Sequence, residues 1–114
     1  MSDVVLLYTT WPDAETAEAF AAEVVADRLA ACANVLGAIR SVYRWQGAIE
    51  RSVETPMLLK TSAAAAEALK ARLVERHPYE TPCVLALPVD RARSHAGFVD
   101  WILDEAVGPG EDAS

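Results

Sequence analysis

Ser41-Val42-Tyr43-Arg44-Trp45-Gln46-Gly47-Ala48-Ile49-Glu50-Arg51-Ser52-Val53-Glu54 lies near the middle of the 114-residue chain and joins its two halves. Val35, Ile39, Tyr43 and Trp45 share one face of an extended segment by period 2, and Arg40, Val42 and Arg44 share the other. Gln46-Gly47 is a turn signal. Beyond it, Ile49 and Val53 alternate with Glu50, Ser52 and Glu54. The pattern predicts a long hairpin with a charged tip, one strand over 34–46 and a return strand over 49–61. Pro56 has no N–H to give to a ladder, so a bulge or an edge is expected there.

Outward from the hairpin the two flanks have the same order of elements. Residues 4–8, Val-Val-Leu-Leu-Tyr, form a contiguous apolar run, so that strand is expected to be buried on both faces. Asp13 is a suitable N-cap for a helix over 14–30, with Ala17, Phe20, Ala21, Val24 and Leu29 as its apolar stripe. After the hairpin, Ser62 caps a helix over 63–77 whose Ala66, Leu69 and Leu73 point inward, and Pro78 ends it. Residues 83–89 read as another apolar strand. Ser94 is expected to cap a last short helix in which Phe98, Trp101 and Ile102 share a face. One domain over 1–107 and a frayed tail over 108–114 follow.

The order β-α-β-β-α-β-α closes as an α+β fold: a ferredoxin-like βαββαβ antiparallel sheet, two helices on one face and an extra C-terminal helix. Three of its strands are apolar on both faces, while the two long helices cover one. A large bare apolar sheet is a liability, so the second face is expected to be covered by copies of the chain, with the long hairpin as an arm to a neighbour.

Charge and composition narrow the function. Ten Lys and Arg stand against 17 Asp and Glu, a formal net charge of −7, which argues against a binder of nucleic-acid backbone. No apolar run reaches the ~18 residues of a membrane helix, and the N-terminus lacks the basic and cleavage regions of a signal peptide. The two cysteines, Cys32 and Cys83, read as reduced thiols of a cytoplasmic protein.

His77 is the sharpest chemical candidate. It ends a helix and precedes a stiff loop carrying Tyr79 and Glu80, so imidazole, phenol and carboxylate fall within four residues. It reads either as a metal ligand or as a cap on the last helical carbonyls. Lys60 ends an apolar strand and either neutralises an anion or pairs with Glu80. Tyr43 and Trp45 either stack on a planar ligand or pack in an interface between copies. Cys32 and Cys83 fit no compact metal spacing, and His95 lies in a polar loop. No phosphate-cradling glycine loop, nucleophile elbow or nucleophile–base pair is present, so no enzyme chemistry is expected.

Several segments together resemble the CutA divalent-ion tolerance family. They are Arg28-Leu29-Ala30-Ala31-Cys32-Ala33-Asn34-Val35, Ser41-Val42-Tyr43-Arg44-Trp45-Gln46-Gly47 with Ile49-Glu50, Leu58-Leu59-Lys60-Thr61, His77-Pro78-Tyr79-Glu80-Thr81-Pro82, Ala86-Leu87-Pro88-Val89 and Trp101. Each is weak alone; the set in this order, over about residues 4–104, is specific. The resemblance implies a homotrimer related in shape to the PII signalling proteins, a role in divalent-cation tolerance, copper in particular, and no firmly attached reaction. It implies a cleft between subunits bordered by His77, Tyr79, Glu80 and Lys60, with Tyr43 and Trp45 at the trimer interface. Of the copper ligands the family suggests, His77 is the one kept: the first strand ends Tyr8-Thr9-Thr10-Trp11, without cysteine, and Arg76 precedes His77. The rival reading is a PII-like sensor of an anionic metabolite or nucleotide, with Arg40, Arg44 and Lys60 supplying positive charge.

Overall fold

Alternation along two long strands sets the architecture. In the computed structural model, which describes residues 3–109, β1 (Val4–Trp11) lies antiparallel to the 15-residue β4 (Ala48–Ser62) in one-to-one register from Val4↔Ser62 to Trp11↔Thr55. Leu7, Trp11, Met57 and Leu59 therefore point to one face. There they meet Phe20 and Val24 of α1 (Ala14–Ala26) and Leu69 and Leu73 of α2 (Ala63–Arg76) in the main core. Two buried hydroxyls on that face are satisfied: Thr9 Oγ1 donates to Met57 O and accepts from Trp11 Nε1, and Thr61 Oγ1 donates to Leu29 O.

β2 (Cys32–Val35) pairs with the far end of β4, and β5 (Val84–Pro88) pairs with β1, both antiparallel. The order β2-β4-β1-β5 is that of the expected ferredoxin-like sheet. The first hairpin strand, expected as one piece over 34–46, is two: β2, then β3 (Ile39–Trp45), which pairs with Ala48 to Glu54 of β4. The break at 36–38 faces Pro56, whose carbonyl accepts from Leu36 N at 2.9 Å. Its missing N–H thus falls where the partner strand is interrupted. The register with β1 passes through Thr10↔Pro56 without a bulge, and the break opposite Pro56 gives a local edge, the other of the two expectations. Past Trp11, β3 and β4 continue alone as a two-stranded arm. Its turn, Gln46-Gly47, has positive φ at both residues, 50° and 83°, the type I′ geometry that matches strand twist.

The helices differ from expectation at their ends. α1 stops at Ala26, four residues early, because Arg28 takes φ 60° and the chain folds back. Leu29 N bonds Val24 O and Arg28 N bonds Val25 O, a Schellman closure that drives Leu29 into the core. Asp13 and Ser62 cap α1 and α2 as expected. In α2 the buried residues are Ala65, Leu69 and Leu73, so Ala65 replaces Ala66. The last helix, α3 (Ala96–Glu105), is capped by His95 Nδ1, which accepts from Phe98 N, and not by Ser94. It buries Val99 and Ile102 and leaves Phe98 and Trp101 partly exposed. Gly108, placed by the sequence in the tail, is buried against Ala65, and its N–H bonds Arg28 O. Residues 110–114 of that tail lie outside the described residues.

α3 covers the second face of the sheet only at its Val4 end, where Val4, Leu6, Lys60, Phe98, Val99 and Ile102 surround a small cavity. Among the described residues no helix covers the rest of that face, and its β5 edge is the most open part: Leu85 is 60% exposed and Leu87 45%.

Candidate functional site

The arm and the loop after α2 converge. Alternation and register put Tyr43 and Trp45 of β3 on the same face as Ser52 and Glu54 of β4. Facing them are Tyr79, Glu80 and Thr81, and the seven residues line an open cleft of about 350 Å³.

The loop is held from behind by His77. Pro78 forces His77 into extended backbone and ends α2, while its N–H still bonds Leu73 O. The imidazole is buried, 7% exposed, and stacked on Trp11 with centroids 4.2 Å apart. Its Nδ1 accepts from Tyr79 N at 3.0 Å. That fixes the tautomer: Nε2 carries the proton and donates to Thr10 O at 2.8 Å. Nε2 is spent as a donor and the Nδ1 lone pair as an acceptor, so neither ring nitrogen is free for a metal in this conformation, and the ring does not cap the α2 carbonyls. Instead it pins Tyr79, whose ring lies 4.8 Å from the imidazole.

The electrostatics of the cleft are negative. Ser41 Oγ donates to Glu54 Oε1 at 2.6 Å and fixes that carboxylate. Burial, and next the Glu54 charge, pushes the Tyr79 phenol above its ordinary range, so it stays neutral. Burial also pushes the Cys83 thiol up, against a hydrogen bond with Thr10 that pulls it down. Among the described residues no Lys or Arg lines the cleft.

The sequence-derived candidates divide accordingly. Tyr43, Trp45, Tyr79 and Glu80 come together. Lys60 does not join them in this chain: it pairs with Leu6 and Cys32 across the sheet, and its Nζ stands 5.3 Å from the centroid of the Phe98 ring. Arg40 and Arg44 lie on the opposite face of the arm from Tyr43, so the three basic residues of the anion-sensor reading do not converge. Cys32 and Cys83 are free thiols at opposite edges of the sheet. Among the described residues no group of three or more His, Cys, Asp or Glu is placed to hold a metal ion. Ser52, Glu54 and Thr81 are the cleft residues that sequence reasoning passed over. A two-residue Gln46-Gly47 turn fixes the hairpin register and would have placed Ser52 and Glu54 on the Tyr43 face.

Comparison with known proteins gives a consistent family. The divalent-cation tolerance protein CutA of Citrobacter koseri is 39% identical over 100 residues, 88% of this chain and 85% of that protein. Among solved structures, CutA1 from the psychrotrophic bacterium Shewanella sp. SIB1 matches with a TM-score of 0.86 at 33% identity, covering 91% of this chain and 95% of that one. The periplasmic divalent cation tolerance protein CutA from Archaeoglobus fulgidus matches at 0.85 and 33%, covering 90% and 98%. The sequence model of the CutA1 divalent ion tolerance proteins matches residues 5–105, from the second residue of β1 to the last of α3. The agreement thus spans the sheet, the arm, the cleft loop and all three helices, and the chain belongs to the CutA1 divalent ion tolerance family.

Proposed function

We propose that this chain serves divalent-cation tolerance, with copper the first ion to test, as a non-enzymatic cytoplasmic homotrimer whose ligand sits in the cleft under the arm. The lining carries the reading: Glu54 and Glu80 line one cleft, and among the described residues no basic side chain lines it to offset them. Paired carboxylates in a walled site attract a cation and repel an anionic metabolite. The relatives are named for tolerance of divalent cations and not for a reaction. The bare Leu85 and Leu87 favour an assembly that covers the second sheet face and brings Tyr43 and Trp45 of the arm to a neighbour. Two free thiols suit a reducing compartment. Among the described residues no full ligand set is gathered, so this reading treats the ion as a cargo shared by Glu54, Glu80, water and donors of a neighbouring copy.

Calorimetric titration of tag-free protein with Cu²⁺ tests it, beside the Glu54→Gln, Glu80→Gln and His77→Ala variants. The expected result is saturable binding, weakened by roughly tenfold or more in each Glu→Gln variant. His77→Ala frees the Tyr79 loop, so weaker binding in that variant is expected from the lost positioning of the cleft wall and does not make the imidazole a ligand. No binding, or equal binding by all four proteins, contradicts the reading.

A further inference from the structure

The walls of the cleft are more aromatic than a divalent ion requires. Tyr43, Trp45 and Tyr79 line it and remain 42%, 48% and 37% exposed. They come from two separate elements, and each is held from behind. The paired strands of the arm fix Tyr43 and Trp45. The His77 stack and the Tyr79 N–H to His77 Nδ1 hydrogen bond fix Tyr79. Glu54, oriented by Ser41, and Glu80 complete the lining together with the Ser52 and Thr81 hydroxyls.

A hydrated divalent ion takes its binding energy from oxygen donors and gains little from ring faces. An organic cation gains from both: the ring quadrupoles attract it and exclude water, and a carboxylate supplies the countercharge. The cleft volume of about 350 Å³ suits a small ligand of that kind. We infer that Tyr43, Trp45 and Tyr79, with Glu54 and Glu80, form a recognition site for an organic cation, a guanidinium or alkylammonium group. The inference rests on the reading of this cleft as the ligand site. Its ligand has two sources, a free amine or guanidine metabolite and an arginine of a second copy. Arg40, Arg44 and Arg51 stand on the opposite face of the same arm.

Agmatine is the probe, with N-butylurea as its neutral counterpart, titrated by calorimetry and by tryptophan fluorescence. The proteins are the full chain, Trp45→Leu, Glu80→Gln and the triple variant Arg40→Ala/Arg44→Ala/Arg51→Ala. All these positions are exposed in the single chain, and Trp45 is also an arm residue that the proposed trimer brings to a neighbour. Thermal melts check that each variant folds, and light scattering that each keeps the assembly of the unaltered protein. Saturable binding of agmatine and not of N-butylurea is expected, weaker by roughly threefold to thirtyfold in Trp45→Leu and in Glu80→Gln. Cu²⁺ binding should fall in Glu80→Gln and hold in Trp45→Leu. Agmatine bound by the triple variant but not by the unaltered protein assigns the site to an arginine of a second copy. Agmatine binding without Cu²⁺ binding upholds the inference and overturns the divalent-ion reading. Cu²⁺ binding with no agmatine uptake by any of the four proteins, or equal uptake of agmatine and N-butylurea, overturns the inference and leaves the divalent-ion reading standing.

Discussion

His77 shows how one side chain can sit at a site without being its reactive group. Its two nitrogens satisfy Thr10 O and Tyr79 N, and its ring fills the space between Trp11 and Tyr79. Replacing it by alanine leaves a buried carbonyl and an N–H without partners and opens a cavity, so His77→Ala should cost about 2–4 kcal/mol by urea unfolding. A loss below about 0.5 kcal/mol would contradict the pinning role. The sequence placed His77 at a helix end and beside Tyr79 and Glu80. It could not show where the imidazole points, because one of its partners lies 67 residues away on β1. The same limit applies to Lys60. Position in the chain put it near an apolar strand end, and only the sheet register shows that it faces Phe98 and not Tyr79.

At the scale of elements, alternation and caps were legible and unusual backbone was not. The hairpin faces, the Asp13 and Ser62 caps and the stop before Pro78 follow from local chemistry. The early end of α1 depends on a left-handed Arg28, and no glycine or asparagine there announces it. The arm turn gives a direct test. Gly47 holds φ 83° with open space around its Cα, so Gly47→Ala should destabilise by about 1 kcal/mol through backbone strain alone. Gln46→Gly, at φ 50°, should not destabilise comparably. Equal losses at both positions in thermal unfolding would contradict the I′ turn.

The link between the two long helices predicts a pH dependence. Hydrogen bonds from Arg72, then Arg76, hold the Glu23 carboxyl below its ordinary value of 4.5. The hydrogen bond from Thr16 N lowers Asp13 from 3.8. Depressed carboxylates give stability that is present above the unfolded pKa and lost as pH falls through the folded one. The melting temperature should hold above about pH 5 and decline below 4.5, and Arg72→Met should flatten that decline. An unchanged profile in the variant would remove Glu23 from the acid sensitivity.

The whole molecule is an unfinished surface. Contiguous apolar strands in the sequence required cover on both faces of the sheet, and the folded chain supplies one cover and part of another. α1 and α2 fill the first face, and α3 closes only the Val4 end of the second. Leu85 and Leu87 face solvent there, and the arm continues past the end of β1 in a chain that measures 46 × 33 × 23 Å with the arm included. The sequence pattern led to the expectation of copies of the chain as the second cover, and the proposed trimer would supply it. Leu85→Lys places a charge on that face without touching the main core, so it should split the assembly while the chain keeps its fold by circular dichroism. Multi-angle light scattering of the unaltered protein at micromolar concentration tests the account most directly. A mass near three times the 12.3 kDa chain, falling in Leu85→Lys, is the predicted result. A monodisperse 12.3 kDa species that stays soluble and folded would contradict it, and with it the placing of the cleft beside a neighbouring copy.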